Sequence, residues 1–351
     1  MLADRLQKIY REAGAEALFI EQDFLRRYLT GFYSTDGYVT LTADGCTFFA
    51  DARYLEAAQR ELAGSGIAVK EGVLKEALEQ IAPYHNIGVP KAFTTLARAE
   101  GLTEKGFTLV DCMPALKNAM TIKTPQEISL IARACEIAED ALTATLPKLK
   151  EGMTESELAA ILEYEMRLLG ASGVSFETIV GFGANGSVPH HETGNTKLKF
   201  GDAVLIDFGC KYGGYCSDCT RTFLFGDDKR HEEFKKIYGC VLDAHMRVLE
   251  QTREGMTGRE ADAIARHALA EKGLDKYFTH SLGHGIGLQI HEYPVLAPRS
   301  EEKLVNGMVF SDEPGVYLAG RLGIRIEDSA YMEGGVTHTF MKKLGKKLLI
   351  L

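Results

Sequence analysis

The segment Lys150-Glu151-Gly152-Met153-Thr154 returns 103 residues later as Arg253-Glu254-Gly255-Met256-Thr257. The match continues in register through Glu157 and Glu260, Ala160 and Ala263, Ile161 and Ile264, and Gly170 and Gly273. Each copy opens a helix with a Thr-x-x-Glu capping box, which satisfies free N–H groups at the helix start, and each ends near a glycine. Two unrelated helices could share such a cap. Four identical consecutive residues followed by in-register matches point instead to an internal duplication. Each copy follows a longer helical stretch and precedes a strand-rich region. Two similar halves would face each other about a pseudo-twofold axis, and a site can form between them.

The chain has 351 residues, enough for two domains that each bury a core. The first third alternates helical and strand patterns, as in an α/β domain. A helix is predicted over Asp4 to Ala13, a strand over Ala17 to Ile20, and a hairpin of Gly37 to Thr42 with Cys46 to Ala50. A helix over Tyr54 to Leu62 and strands near Ile87 to Val89 and Thr108 to Val110 follow. Asp36, Asp51 and Arg53 sit near turns and read as structural. Met113 to Lys123 reads as a linker. A second domain then opens with the capping box Thr124-Pro125-Gln126-Glu127 and the apolar stripe Ile128, Ile131, Ala134, Ala138, Ala141. The expected division is 1–121 and 122–351.

A formal net charge of -9 and the lack of a basic stripe argue against nucleic acid as a partner. The N-terminus lacks an apolar signal core, and no apolar run approaches membrane-span length. Seven cysteines, an odd count in a large chain, suit reduced thiols. The expected compartment is the cytoplasm, with no membrane partner.

After the first repeat come the strand Val204-Leu205-Ile206-Asp207-Phe208, a glycine-bearing turn and the strand Tyr215 to Phe223, which together form a hairpin. Symmetry about Tyr212 and Gly213 would set Asp207 opposite Asp218, on one face. After the second repeat, Val309 to Glu313 and Gly323 to Glu327 flank a turn near Gly320. Reflection there pairs Glu313 with Glu327, with Pro314 a possible source of a bulge. Four clustered carboxylates repel one another and need cations. His280-Ser281-Leu282-Gly283-His284-Gly285-Ile286-Gly287 packs three glycines around one imidazole, which makes His284 the best nitrogen ligand among His190, His191, His280, His284 and His291. Four carboxylates and one imidazole balance two divalent cations and suit manganese, or cobalt, better than a thiolate zinc site. Cys216 and Cys219 spell Cys-x-x-Cys, but residues three apart in a strand face opposite sides and no second pair exists.

These motifs, with Ser217-Asp218-Cys219-Thr220-Arg221-Thr222-Phe223, Glu313-Pro314-Gly315-Val316-Tyr317 and Gly323-Ile324-Arg325-Ile326-Glu327-Asp328, resemble the pita-bread metallopeptidases of the aminopeptidase P and prolidase type. Tyr28-Leu29-Thr30-Gly31-Phe32 and Asp51-Ala52-Arg53-Tyr54 are similar to the creatinase-like domain of these enzymes. The resemblance implies an α/β creatinase-like N-terminal domain followed by an α+β pita-bread domain with an internal pseudo-twofold repeat. It implies that Asp207 chelates one metal ion, that His284 and Glu313 bind the other, and that Asp218 and Glu327 bridge them. Zinc is a further option for the metal.

The activated water would attack the carbonyl before proline, with Glu313 moving the proton. His190 would steady the tetrahedral intermediate and His291 would assist at the leaving nitrogen. Arg325 would stand beside the carboxylates, and His280 matches another active-site histidine. No role is implied for His191. The implied partners are short peptides with proline second, and the expected assembly is a homodimer. Some prolidases carry an arginine four residues after the His291 equivalent, to meet the substrate carboxylate, where this chain has Val295. That favours an Xaa-Pro aminopeptidase, with a prolidase as the alternative. A non-catalytic peptide-binding relative would be expected to lose ligands, and all five are present.

Overall fold

The computed structural model describes residues 2–227 and 231–351, and contacts divide the chain into Met1–Met120 and Thr121–Leu351. In the first unit, helices α1 (Leu2–Glu12), α2 (Asp23–Thr30), α3 (Leu55–Glu61), α4 (Leu74–Ile81), α5 (Leu96–Glu104) and α6 (Met113–Thr121) alternate with strands. The strands are β1 (Ala17–Ile20), β2 (Tyr38–Thr42), β3 (Gly45–Ala50), β4 (Ala68–Glu71), β5 (Asn86–Val89) and β6 (Thr108–Asp111), in the spatial order β4-β3-β2-β1-β5-β6. Every residue of the central β1 is buried, as an uninterrupted apolar run requires. Phe19, Phe49, Ile81 and Ile87 belong to the core beside it. Arg53 pairs with Asp51 and Asp36 at an exposed turn, which fits a structural role for all three.

The stretch read as a linker is instead mostly α6, with Ala115 and Leu116 buried. Its apolar residues pack, and only residues 122–124 separate it from the next helix.

The second unit starts with α7 (Pro125–Thr145). The Thr124 hydroxyl accepts the Glu127 N–H, and the Glu127 carboxylate accepts the Thr124 N–H, as the capping box predicts. There follow α8 (Glu155–Leu168), β7 (Gly173–Val174), β8 (Ile179–Phe182), β9 (Asp202–Phe208), β10 (Cys210–Tyr212), β11 (Tyr215–Cys216) and β12 (Cys219–Phe225). After these come α9 (Glu232–Gln251), α10 (Gly258–Ala270), β13 (Gly283–Gly285), β14 (Glu292–Leu296), β15 (Val309–Asp312), β16 (Gly315–Leu318), β17 (Leu322–Arg325), β18 (Asp328–Glu333) and β19 (Val336–Thr339). Strands β12-β9-β8 form one sheet and β14-β13-β15-β18-β19 another. No helix among the described residues is long and apolar enough to cross a membrane.

The repeat is visible in the hydrogen bonds. Thr154 and Thr257 cap α8 and α10 identically. Gly152 N–H donates to Leu198 O and Leu198 N–H to Met153 O. Gly255 N–H donates to Leu304 O and Leu304 N–H to Met256 O. Leu198 and Leu304 are 106 positions apart (304 − 198), and so are Asp207 and Glu313 (313 − 207). The duplication thus delivers one carboxylate-bearing strand pair per half.

One expected register is corrected. Asp207 lies opposite Thr220, not Asp218, because Lys211 pairs with Cys216 and Tyr212 with Tyr215 around Gly213-Gly214. Both glycines have positive φ, 56° and 91°, which a tight two-residue hairpin turn requires and the Tyr212-Gly213 centre did not provide. The slip is two residues. Side chains alternate with a period of two, so Asp218 keeps the face of Thr220 and stays beside Asp207. In the second half, Gly315 opposite Arg325 and Asp312 opposite Asp328 share the register predicted by reflection about Gly320. Pro314 ends β15 without shifting it.

Candidate metal centre

A cavity of about 1030 Å³ in the second unit is lined by Asp207, Asp218, His284, Glu313 and Glu327, and also by His190, His280, His291 and Arg325. All nine residues singled out in the sequence therefore meet at one place. One carboxylate oxygen from each of Asp207, Asp218 and Glu327 lies within 4.8 Å of the others. His284 Nε2 is 3.5 Å from Asp218 Oδ2 and 3.5 Å from Glu313 Oε1, which joins the other two residues to that group.

The glycines around His284 are there for space. A Cβ on Gly283 would fall 2.0 Å from Ser311 O, and one on Gly285 would fall 2.1 Å from Tyr293 O. β13 can therefore approach both neighbouring strands closely. His284 Nδ1 donates to Gly285 O, leaving Nε2 free to face the carboxylates as a ligand nitrogen. Burial, reinforced by His291, lowers the His284 pKa to about 4, so the imidazole is neutral, as metal ligation requires.

The acidic cluster is buried and crowded. Burial, followed by repulsion from Glu327, Asp207 and Glu313, pushes the Asp218 carboxyl well above its ordinary value. Burial and then Glu313 and Asp207 do the same to Glu327. Burial raises Glu313 to about 8 despite Arg325. Asp207 Oδ1 is buried without a hydrogen-bond partner. An orphaned carboxylate oxygen, three carboxyls raised by burial and crowding and one aimed neutral imidazole fit a hard divalent metal pair.

The two halves are laced together beneath this cluster. Thr220 Oγ1 donates to Glu327 Oε2 at 2.6 Å and accepts from Arg325 Nε at 2.9 Å. Arg325 also donates to Asp207 Oδ2 and, at 2.8 Å, to the Tyr317 hydroxyl. The Tyr317 hydroxyl lies 2.8 Å from His280 Nε2, and His280 Nδ1 is 2.8 Å from Ser281 O. The Ser311 hydroxyl accepts the His284 N–H and donates to Glu313 Oε1, and its cross-strand partner Ser329 accepts the Asp218 N–H.

Tyr317, Thr220, Ser311 and Ser329 were not singled out from the sequence. Tyr317 and Thr220 lie inside the quoted motifs, and that proximity was the only available signal. His191, left without a role, meets Glu155 Oε2 at 2.9 Å, and that buried carboxylate also accepts the Phe182 and Gly194 N–H groups. His191 thus serves the start of α8.

Comparison with known proteins identifies the family. Residues 129–333 match the pattern of Metallopeptidase family M24, and residues 3–119 that of the Creatinase/Prolidase N-terminal domain. The chain is 34% identical over 353 residues to the Xaa-Pro dipeptidase of Pyrococcus furiosus, covering 98% of both chains. Among solved structures it is similar to an Xaa-Pro dipeptidase from Bacillus anthracis, with a TM-score of 0.93, 35% identity and coverage of 100% of this chain and 99% of the other. It is also similar to an X-Pro aminopeptidase from Thermotoga maritima, with a TM-score of 0.91, 31% identity and coverage of 99% and 100%. The creatinase-like plus pita-bread architecture is therefore the fold of this chain. With a carboxylate and imidazole cluster at the seam of a duplicated domain, the chain is a hydrolase that belongs to metallopeptidase family M24.

Proposed function

We propose that this chain is a dinuclear Xaa-Pro dipeptidase, a prolidase, hydrolysing the bond between a first residue and a following proline. The observation that carries this reading is the full-length likeness to Xaa-Pro dipeptidases, joined to a cavity that gathers all the expected site residues. Asp207 would hold one ion, His284 and Glu313 the other, and Asp218 and Glu327 would hold both. Manganese suits this hard oxygen set best. Such a pair supplies Lewis-acid polarisation of the scissile carbonyl and acidification of water.

The protein's own groups do the rest. Glu313 Oε1 is engaged by Ser311, which leaves Oε2 to carry a proton, 4.0 Å from His280 Nδ1. His190, exposed on the cavity wall, donates to the developing oxyanion, and His291 serves the leaving imino nitrogen. Arg325 holds Asp207 in place and spreads positive charge behind the acidic cluster.

A second reading, an Xaa-Pro aminopeptidase, is favoured by one feature. Among the described residues Arg325 is the only lysine or arginine lining the cavity, and it is already paired with Asp207, while Val295 occupies the wall. The comparison of Ala-Pro with Ala-Pro-Ala at saturating manganese separates the two readings.

A further inference from the structure

Lys123 and Glu292 form an ion pair that none of these roles uses. Nζ lies 3.0 Å from Oε2, and the two side chains are 2% and 7% exposed. The Lys123 N–H donates to Gly307 O, and Ile122 bridges Met308, which anchors the lysine at the entry to β15. Glu292 opens β14, directly after His291. In this sheet β13, which carries His284, lies between β14 and β15. The pair therefore reaches from the β15 side of the sheet to the β14 side across the strand bearing His284.

The Glu292 carboxylate also organises the turn that ends in His291. Oε1 accepts the Gln289 N–H at 3.0 Å, and Gly287 N–H donates to Gln289 O at 3.0 Å. A Cβ on Gly287 would fall 2.2 Å from Glu292 Oε2, so the glycine makes room for the carboxylate. The His291 ring stands edge-on to His284 with centroids 4.3 Å apart. Among the described residues no hydrogen bond holds that ring, so the backbone of the turn has to place it. A buried carboxylate without its cation is costly, and the turn would open to hydrate it.

We propose that Lys123 is a positioning residue for His291, acting as a strut that neutralises Glu292 and fixes the turn presenting the imidazole beside the metal centre. This inference rests on the role given to His291 above. The test uses full-length, manganese-loaded enzyme and the faster-cut of Ala-Pro and Ala-Pro-Ala. It follows kcat, KM, manganese content and thermal midpoint in Lys123→Met, His291→Ala and the combined variant.

Lys123→Met is expected to lower kcat roughly ten-fold or more while manganese content stays at the wild-type level. It is expected to add nothing in the His291→Ala background, because losses through one shared group do not add. An unchanged kcat, or a loss that persists without His291, overturns the proposal. If His291→Ala alone keeps wild-type kcat, the role of His291 falls and the strut with it. Lys123→Met/Glu292→Gln buries no lone charge and retains an oxygen for Gln289, so its kcat is expected between that of wild type and Lys123→Met. A lower value overturns the proposal. Should Lys123→Met not fold, the same cycle against His291→Ala is run in this pair.

Discussion

Asp312 and Asp328 face each other across β15 and β18, each one residue from a candidate ligand, and both are fully buried. Successive residues of a strand point to opposite faces. One strand crossing therefore presents Glu313 and Glu327 to the cavity and an aspartate pair to the core. The core pair has its cations within the protein. Arg221 Nη2 lies 2.9 Å and Lys346 Nζ 2.8 Å from Asp328, and His245 Nδ1 lies 3.1 Å from Asp312. Among the described residues the cavity pair shares one lining cation, Arg325, with Asp207 and Asp218, too little for four carboxylates. The same crossing thus contains a charge-balanced face and one left for metal.

The balanced face predicts a pH effect. Burial alone would lower the His245 pKa, but Asp312 and Asp328 override it and raise it from 6.5 to about 9. The folded state then holds the proton more tightly than the unfolded one. This contribution is complete below pH 6.5 and is lost as pH rises through about 9. Asp328 works in the opposite window: against its burial, Arg221, His245 and Lys346 hold its carboxyl well below the ordinary value, so its contribution disappears only in acid. Calorimetric melting midpoints between pH 7 and pH 10 should fall further in the wild type than in His245→Gln. Parallel slopes would remove His245 as the proton carrier.

At the cavity face burial and mutual repulsion raise the carboxyls of Asp218 and Glu327 well above their ordinary values, and burial lifts Glu313 to about 8, so a binding cation must displace the Glu313 proton. Manganese binding should therefore release protons at pH 7 and weaken as pH falls. Titration calorimetry in buffers of different ionisation enthalpy reads the release directly. A hundred-fold excess over Kd should also stabilise the fold by about 2.7 kcal/mol, and chelation should abolish activity until metal is restored. Full turnover in protein shown by elemental analysis to be metal-free would end the two-metal reading.

Ligands and helpers separate by metal content. Asp218→Asn places a neutral amide in the middle of the cluster and should lose both metal and activity. His190→Ala removes a group at the cavity wall. It should keep both ions while kcat falls roughly a hundred-fold, the scale of one lost oxyanion donor. The converse pattern of occupancies would exchange the two roles.

The parts legible in the sequence were those written in local spacing. Thr124, Thr154 and Thr257 announced three helix starts, and Gly320 set the register that keeps Glu313 near Glu327. The turn at Gly213-Gly214 was misplaced by one residue because a tyrosine-glycine pair and a glycine pair look alike until φ is known. The period of two protected the site from that error. The partners of Asp312 and Asp328 were not legible. His245 comes from α9, Arg221 from β12 and Lys346 from the C-terminal segment, and only the folded chain brings them to one point. Lys123 was hidden in the same way, 169 residues from Glu292.

Substrate length is the remaining choice, and it turns on the carboxylate after proline. A dipeptide ends there, and a charge drawn into a partly dry cavity needs a partner. Val295, the cross-strand neighbour of His284, offers none, and Arg325 is committed to Asp207. The proposed dipeptidase should nevertheless show higher kcat/KM for Ala-Pro than for Ala-Pro-Ala, and acetylating the N-terminal amine should abolish cleavage. Preference for the tripeptide would move the chain to the aminopeptidase reading that Val295 favours. Val295→Arg tests the wall itself. A charge-assisted hydrogen bond to a terminal carboxylate should raise the Ala-Pro to Ala-Pro-Ala ratio by roughly ten-fold or more, with manganese content unchanged. An unaltered ratio would mean that position 295 does not face the substrate carboxylate, and that Val295 carries no weight in choosing between the two activities.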